Sequence, residues 1–516
     1  MNQMTEIVLV TANARYSHTS LALRYIQANL HELAERSVIM EYTINERPSD
    51  IAEKILAASP RIVLFSVYVW NVSLLAKVAS IIKLVFKDTF LIVGGPEVSE
   101  DFKKHSLCQI SDCVIRGEGE LLTYEIIKKI LEGGVLDQKF FDAGDIDLSS
   151  VVLPYHLYTD EDIAHRIIYI EASRGCPFGC EFCLASLTKK VRRFPGHQIK
   201  EALEALWCRG VRRFKFVDRA LHIAVSADLL NYFLAKYEPG MFLHFELVAD
   251  KLPVHLFDIL ARFPPGVVQI EAGIQTFNPD VAAMIGRKQN TEKALSMLKR
   301  LREQTGVHIH SDLVIGLPGE DMMSLAQGFD RLILSDVQEI QVGILKRLGD
   351  APISRHDGPW EMIYSREPPY DILQNRLIDF FTMQRLKRFS RFFDIIYNSG
   401  NFSGFLSTIW KGTSPFDSFL RLSDWLYTFF GRTYSISLSN LTEALVEYAS
   451  SECGYPKAEV SNLIFEEFNR LGIRSFPGAL QRFIVSSPNG ENNLENVKLP
   501  KRQRRHVTLR KPRSRR

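Results

Sequence analysis

Residues 176–183 read Cys176-Pro177-Phe178-Gly179-Cys180-Glu181-Phe182-Cys183. The apolar and β-branched run 166–172 just before them predicts a short buried strand that ends at Ser173-Arg174-Gly175. Three cysteines spaced C-x3-C-x2-C predict a soft metal centre, because thiolates select zinc, copper(I) or iron–sulfur clusters. A structural zinc site takes four ligands, and the sequence has no second C-x2-C pair to complete one.

Three thiolates would leave one iron of a cubane cluster without a protein ligand. This spacing, with the aromatic Phe182 before the last cysteine, resembles the radical S-adenosylmethionine (SAM) superfamily. The resemblance implies that Cys176, Cys180 and Cys183 hold a [4Fe–4S] cluster, that SAM chelates the fourth iron, and that Phe182 lies near the adenine. The alternative is a zinc loop completed by a distant ligand such as Cys208 or a histidine.

Length and composition predict a multidomain protein of the cytoplasm. The chain has 516 residues, too many for one core, and its 46% hydrophobic and 24% charged residues are ordinary for a globular protein. No run approaches the roughly 18 apolar residues of a membrane helix, and the N-terminus lacks the features of a signal peptide. Seven cysteines, three of them clustered, fit a reducing compartment and a metal site better than a disulfide framework.

Residues 1–135 alternate strand and helix patterns, which predicts a Rossmann-like, doubly wound parallel sheet. Ligands bind such sheets at the carboxyl ends of the strands. Polar and glycine residues fall at these predicted ends, namely Ser66, Gly94, Gly95, Gly117 and Gly119.

These turns resemble those of the cobalamin-binding domain that precedes many radical SAM domains, which implies that the five residues contact cobalamin. The Asp-x-His-x-x-Gly motif, whose histidine ligates cobalt in other cobalamin domains, is absent. We therefore expect no histidine on cobalt; His18 follows the first strand and is either near the cofactor or a polar residue at a helix start. The alternative for the domain is a Rossmann-like module that binds a nucleotide or nothing.

Residues 136–165 read as a linker, and residues 166–350 contain six strand–helix pairs. Six parallel strands predict a partial (β/α)6 barrel with its active site at the carboxyl ends of the strands. The arrangement resembles the cobalamin-linked branch that includes the anaerobic Mg-protoporphyrin monomethyl ester cyclase.

The polar residues of this segment resemble the SAM pocket of the oxygen-independent coproporphyrinogen III oxidase type. The resemblance implies that SAM is contacted by Glu246, Gln275, Arg287 and Asp312. After the second strand, Asp218 stands where many relatives have a Gly-Gly-Glu turn for the methionine amino group. Asp218 either takes that role or pairs with Arg219.

Residues 351–485 are rich in aromatic residues at helical spacing, which predicts a mostly helical C-terminal domain. It resembles an uncharacterised extension found on one cobalamin-linked radical SAM subfamily. Residues 486–516 predict a disordered tail, basic from Lys501 onward, that binds nucleic acid only non-specifically.

Together these resemblances imply an oxygen-sensitive enzyme that cleaves SAM to a 5′-deoxyadenosyl radical for C–H activation. The outcome would be methyl transfer or ring formation on a small-molecule substrate, with flavodoxin or ferredoxin as electron donor. Two alternatives remain at this point: an RNA methylthiotransferase-like enzyme, and a non-catalytic protein that binds cobalamin or nucleic acid.

Overall fold

The computed structural model describes residues 5–98, 105–220, 227–473, 476–484, 503 and 505–506. No helix within these ranges is both long and apolar enough to cross a bilayer. Contacts divide the chain into two compact units. The first comprises Met1–Arg219, Lys346–Arg355 and Tyr364–Asp371, and the second comprises Ala220–Leu345, His356–Ile363 and Ile372–Arg516.

The first domain alternates strands and helices, as predicted. Its strands are β1 (Ile7–Asn13), β2 (Ser37–Thr43), β3 (Ile62–Ser66), β4 (Phe90–Gly94), β5 (Cys113–Arg116) and β6 (Phe140–Asp142). Its helices are α1 (Leu21–Ala28), α2 (Pro48–Leu56), α3 (Val72–Val85), α4 (Ser106–Ile110) and α5 (Glu120–Leu131). The strands pair in parallel in the order β2-β1-β3-β4-β5-β6, which confirms the doubly wound sheet.

Strand β3 shows why these sequences form a buried sheet. All five of its residues are buried. Val63 and Phe65 belong to one apolar core with residues of α2 and α3, whereas Ile62 and Leu64 belong to a second core with residues of α1 and α5. Because alternate residues enter different cores, both faces must be apolar, and the strand is a continuous hydrophobic run.

The sheet extends further along the chain than expected. Strand β6 pairs with β5, although residues 136–165 read as a linker. A three-residue strand is too short to show a clear hydrophobic period. The rest of this stretch contains the helix α6 (Asp160–His165), whose first turn is closed by a capping box between Thr159 and Asp162.

The six strands predicted for the partial barrel are all present. They are β7 (Ile168–Ile170), β10 (Arg213–Phe216), β11 (Phe242–Leu247), β12 (Val268–Gln275), β13 (His308–Ile315) and β14 (Glu339–Ile344). Within the first unit β7 pairs in parallel with β10, and within the second unit β11 to β14 pair in parallel in chain order. A two-residue antiparallel ribbon, β8 (Ser173–Arg174) and β9 (Arg192–Arg193), follows β7.

Helices alternate with these strands. They are α7 (Gly196–Cys208), α8 (Ala227–Ala235), α9 (Val254–Leu260), α10 (Pro279–Met284), α11 (Thr291–Gln304) and α12 (Met322–Ile333). Along β12, alternate residues are buried and half-buried, so the half-buried positions 269, 271, 273 and 275 share one face of the sheet.

The C-terminal domain is mostly helical, as predicted. It contains the short strands β15 (Ile363–Tyr364) and β16 (Ile372–Gln374), followed by α13 (Phe380–Ile396), α14 (Ser403–Ile409), α15 (Pro415–Phe430), α16 (Leu438–Ser451) and α17 (Lys457–Arg470). Short 3₁₀ turns complete the described chain, at His31–Arg36, Leu148–Ser150, Tyr155–Leu157, Leu184–Leu187, Ala249–Lys251, Pro352–His356 and Gly478–Phe483.

The expectation of a disordered tail does not hold for three tail residues. Gln503 is 1% exposed and donates a hydrogen bond of 2.6 Å to Gln269 at the start of β12. The His506 ring lies 5.5 Å from the His308 ring on β13, and Arg505 donates to the backbone oxygen of Ser399. The other positions of 486–516 lie outside the described residues.

Phe389 of α13 packs in a cluster of aromatic rings with residues of α12 and α15. It is fully buried, and its ring centroid lies 5.0–5.2 Å from those of Phe329, Phe416 and Phe419. We expect Phe389→Ala to lower the free energy of unfolding by about 3–5 kcal/mol, because it leaves a cavity in a close-packed core.

Urea unfolding followed by circular dichroism measures this loss. Phe381→Ala is the matched control, because Phe381 is on the same helix but 79% exposed; its effect should be within about 0.5 kcal/mol. Equal effects of the two substitutions would contradict the packing described.

Candidate functional site

The five residues predicted to contact cobalamin line one cavity in the first unit. Ser66, Gly94, Gly95, Gly117 and Gly119 all border a space of about 560 Å³, which we call the sheet-edge cavity. It lies at the carboxyl ends of β3, β4 and β5, the edge at which doubly wound sheets bind ligands.

Two of these glycines are required by the backbone. Gly95 has φ +119°, and a Cβ there would lie 2.4 Å from the Val67 carbonyl oxygen. Gly117 has φ +81°, and its Cβ would lie 3.0 Å from the backbone nitrogen of Gly144. Neither position accepts a side chain without a backbone shift. Both turns therefore depend on glycine because the protein's own backbone occupies the place of a side chain, and both border the cavity, where main chain can contact a large cofactor.

His18 lies elsewhere. It is not among the residues that line the sheet-edge cavity in the part of the chain that the structure describes. Its ring packs edge-on against Tyr169 at 6.2 Å. Burial, with the positive charges of Lys215 and Arg15, lowers the pKa of His18.

The three predicted cluster cysteines share a loop that we call the cluster loop, residues 175–191. The ribbon β8–β9 closes its base, and the Cys176 backbone N–H donates to Thr188 O at 2.9 Å. Gly175 has φ +92°, and a Cβ there would lie 2.3 Å from Lys190 O. The two ends of the loop are therefore in close contact.

The thiols of the cluster loop lie near one another. Cys176 and Cys180 are buried and Cys183 is half-buried. Burial raises the pKa of Cys176; the charges of Cys183 and Cys180 raise it further, whereas the Phe178 backbone N–H and Arg219 lower it. In the described ranges no three His, Cys, Asp or Glu side chains converge on one metal ion. A cubane cluster does not require three side chains to meet at one ion, because each cysteine binds a different iron.

The surroundings of the cysteines include a pair that the sequence did not indicate. Glu181 is buried, and its carboxylate accepts hydrogen bonds from Arg355 at 2.5–2.8 Å. The Glu181 carbonyl also accepts the Ile353 N–H at 3.0 Å. Phe182, predicted to lie near adenine, is half-buried between Cys180 and Cys183.

Asp218 accepts hydrogen bonds from the segment that follows β7. It is 3% exposed, and its two carboxylate oxygens accept hydrogen bonds from the Ala172 backbone N–H at 3.0 Å and the Ser173 hydroxyl at 2.6 Å. Burial raises its pKa, and these hydrogen bonds oppose the rise. Asp218 therefore joins the end of β10 to the segment that leads into the cluster loop.

In the second unit, the four residues predicted to bind SAM lie close together on β11, β12, β13 and the turn after α10. Burial raises the pKa of Asp312 to about 6; the charges of Glu271 and Glu246 add to this rise, and those of His310 and Arg287 oppose it. Arg287 donates to the Gly273 carbonyl oxygen and, at 2.8 Å, to Gln289.

Gln275 ends β12 in an unusual conformation. The register between β12 and β13 shifts between Gly273 and Gln275, and Gln275 has φ +72°, which is rare for a residue other than glycine. Such irregularities are common next to active sites, where they redirect a side chain.

Three further residues of this cluster were not assigned from the sequence. The Nε2 atom of His244 lies 3.0 Å from Oε1 of Glu271. His310 lies 3.8 Å from Glu271 through Nδ1 and 3.6 Å from Asp312 through Nε2. The i, i+2 spacing of His244 with Glu246, and of His310 with Asp312, indicates a shared face and could have predicted this arrangement.

Comparison with known proteins identifies the domains. A model of the B12 binding domain matches residues 7–127, and a model of the radical SAM superfamily matches residues 170–331. The chain is a radical SAM enzyme with a B12-binding domain. Its cofactors are therefore SAM, a [4Fe–4S] cluster and cobalamin, as predicted. Residues 358–484 match a family described as a protein of unknown function, DUF4080, which fits the predicted extension.

Similar proteins include methyltransferases. An uncharacterized methyltransferase of Pyrococcus horikoshii is 23% identical over 326 residues, which cover 58% of this chain and 70% of that protein. The cobalamin-dependent radical SAM methyltransferase TokK of Streptomyces tokunonensis is 23% identical over 330 residues, which cover 57% of this chain and 48% of TokK. The match thus spans about half of TokK.

A solved structure has a similar fold. The radical SAM methyltransferase TsrM from Kitasatospora setae, with cobalamin and a [4Fe–4S] cluster bound, superposes with a TM-score of 0.57. The sequences are 14% identical, and the superposition covers 70% of this chain and 78% of TsrM.

The first prediction for the site concerns the cluster cysteines. Anaerobically reconstituted protein should bind about four iron and four sulfide per chain. Cys176→Ala, Cys180→Ala and Cys183→Ala should each abolish this content, because each removes a thiolate ligand. Cys208→Ala and Cys453→Ala, at exposed positions, are the controls and should retain it. Stoichiometric zinc in place of iron would refute the assignment.

The second prediction concerns Asp312 and pH. Folding raises the pKa of the Asp312 carboxyl to about 6. The protonated carboxyl therefore stabilises the folded protein fully below its unfolded pKa of about 4, and this stabilisation is lost as the pH rises to about 6. Asp312→Asn should therefore stabilise the cofactor-free protein by about 1–3 kcal/mol above pH 6, and the gain should vanish near pH 4.

Urea unfolding across this pH range measures the difference. Asp258→Asn, on the exposed face of α9, should give no such pH-dependent gain. An Asp312→Asn protein that is less stable than wild type at pH 8 would mean that Arg287 and His310 outweigh burial.

Proposed function

We propose that the protein transfers a methyl group from SAM to an unactivated carbon of a small-molecule substrate, with cobalamin as methyl carrier. One observation carries the proposal. Leu184, Leu187 and Thr188 of the cluster loop line the sheet-edge cavity together with the glycine turns. The loop of the cluster cysteines and the turns assigned to cobalamin thus form walls of one space.

The reaction balances with two roles for SAM. One molecule of SAM loses its methyl group and becomes S-adenosylhomocysteine. A second is cleaved by one electron to methionine and a 5′-deoxyadenosyl radical, which takes the substrate hydrogen and leaves as 5′-deoxyadenosine. The new carbon–carbon bond replaces the carbon–hydrogen bond. Each turnover takes up two electrons, one to cleave the second SAM and one to balance the methyl group, which leaves the first SAM as a cation; a flavodoxin or ferredoxin would supply both. When bound, the cluster supplies electrons to SAM and cobalamin carries the methyl group.

The chain's own residues would bind and orient SAM. Arg287 would pair with the methionine carboxylate, because a guanidinium matches a carboxylate through two parallel hydrogen bonds. Glu246 and Asp312 would accept hydrogen bonds from the ribose hydroxyls or the amino group, and a positively charged ligand would favour their ionised forms.

The methylthiotransferase alternative is weaker. Such enzymes carry three further cysteines for a second cluster in the N-terminal domain, and residues 1–150 contain only Cys108 and Cys113. These two side chains are buried in different apolar cores of the first domain. Burial raises the pKa of Cys108 to about 11 and that of Cys113 to about 12. Both are suited to packing rather than to a shared cluster.

The test uses the products of SAM under an added reductant and needs no substrate. Wild-type protein with cobalamin should form both S-adenosylhomocysteine and 5′-deoxyadenosine. S-adenosylhomocysteine should disappear when cobalamin is omitted. Formation of 5′-deoxyadenosine alone, with or without cobalamin, would indicate radical chemistry such as ring formation in place of methyl transfer.

The same assay tests the SAM pocket. Arg287→Ala should leave the iron content unchanged and weaken the binding of SAM about ten- to a hundredfold, since a hydrogen bond to a charged group contributes roughly 1.5–3 kcal/mol. Arg300→Ala is the control, because Arg300 is on α11 with its guanidinium over the Phe257 ring. Unchanged apparent affinity in Arg287→Ala would make this arginine a structural partner of Gly273.

A further inference from the structure

The base of the cluster loop contains two arginines in an unusual position. In the ribbon β8–β9, Arg174 lies directly opposite Arg192. Like charges at opposed positions of two strands destabilise the pair. The ribbon therefore requires acidic groups from elsewhere in the fold.

Two of those acidic groups come from the turn after β5, and two more are Glu171, which is 3.1 Å from Arg174, and Asp145, which is 3.5 Å from Arg192. Arg192 donates to Glu118 at 2.9 Å, and Arg174 lies 3.4 Å from Glu118 and 2.6 Å from Glu120. The four side chains are between 8% and 18% exposed. We call Arg174, Arg192, Glu118 and Glu120 the arginine clamp.

Further contacts fix the geometry of the clamp. The Arg174 guanidinium lies over the Tyr25 ring at 5.0 Å and the Phe194 ring at 5.4 Å. Arg192 also donates to the backbone oxygen of Ile146 at 2.8 Å, and Glu118 accepts the Ile146 N–H at 3.1 Å. Both arginines are therefore held on several sides by rings or hydrogen bonds.

The acidic half of the clamp belongs to the sheet-edge cavity. Glu118 and Glu120 flank Gly119, and the stretch from Gly117 to Glu120 lines that cavity. The basic half begins and ends the loop that carries the three cysteines. A ligand that fixes the turn therefore also fixes the partners of the ribbon.

We propose that the arginine clamp couples the two cofactor sites, so that cobalamin in the sheet-edge cavity orders the cluster loop and the cluster in turn tightens cobalamin binding. The inference rests on the proposed placement of cobalamin and the cluster in these two sites. Separating the two halves would take the buried carboxylates of Glu118 and Glu120 away from their arginine partners, which is strongly unfavourable, although Arg174 and Arg192 would keep Glu171 and Asp145. Ordering of the turn therefore also orders the ribbon. Because coupling between two binding sites is reciprocal, each cofactor should tighten the binding of the other.

The first experiment is cobalamin binding by the full-length protein with and without its cluster. Wild-type protein should bind cobalamin at least about fivefold more tightly with the cluster, the lower end of typical coupling between sites. Arg192→Gln should reduce this ratio to less than about twofold. Arg192 is the residue to change, because it lies outside the lining of the cavity that the described residues form.

The second experiment measures the backbone order of the cluster loop directly. Hydrogen–deuterium exchange of peptides covering residues 175–191 should slow when cobalamin is added to cluster-free wild-type protein. It should not slow in Arg192→Gln. Arg192→Lys should be intermediate, because lysine keeps the charge but not the forked geometry.

A matched control is available in the same unit. Arg166 is 12% exposed, similar to Arg192 at 14%, and pairs with Glu41 at 2.9 Å and Asp162 at 3.5 Å. Arg166→Gln removes a comparable ion pair away from the cluster loop and should retain the full coupling. Iron content and circular dichroism verify that each variant has folded.

The outcomes separate this inference from the proposed function. Wild-type protein that binds both cofactors independently, or an Arg192→Gln protein that keeps the fivefold ratio or the exchange protection, would overturn the coupling alone. Equal loss of coupling in Arg166→Gln would also overturn it, as a general effect of lost stability. Wild-type protein that binds no cobalamin would overturn the proposed function together with the coupling.

Discussion

Parallel pairing is the constraint on which both candidate sites depend. All strands of a parallel sheet end at the same edge, so residues that are far apart in sequence meet there. In the first domain this brings Ser66, Gly95 and Gly117 to one cavity. In the second unit the register of β11 to β13 places Glu246 beside Glu271, and Glu271 beside His310.

The sequence predicted the residues at these strand ends because its signals there are local. A buried strand followed by a glycine turn is visible within ten residues, and so is C-x3-C-x2-C. What could not be predicted depends on segments that meet only after folding. Asp218 binds Ser173 across 45 positions, and Arg192 binds Glu118 across 74. The strands β6, β8 and β9 are too short to carry a period.

The acidic residues of the second unit illustrate the cost of a preformed site. Burial raises the pKa of Asp312; the nearby charges of Glu271 and Glu246 add to the rise, and those of His310 and Arg287 oppose it. Burying like charges disfavours the ionised forms. A buried carboxyl of this kind lowers stability at a pH where it is ionised, a cost that is common where a protein prepares a site for a charged ligand.

The three described tail residues matter for how the protein is shortened or tagged. Gln503 and His506 cover polar side chains at the amino ends of β12 and β13, where Gln269 and His308 would otherwise lose a partner or a neighbouring ring. A protein that stopped after residue 484 would expose these amino ends of β12 and β13 to water. The basic end of the chain is therefore no neutral place for truncation, although its composition alone resembles a dispensable extension.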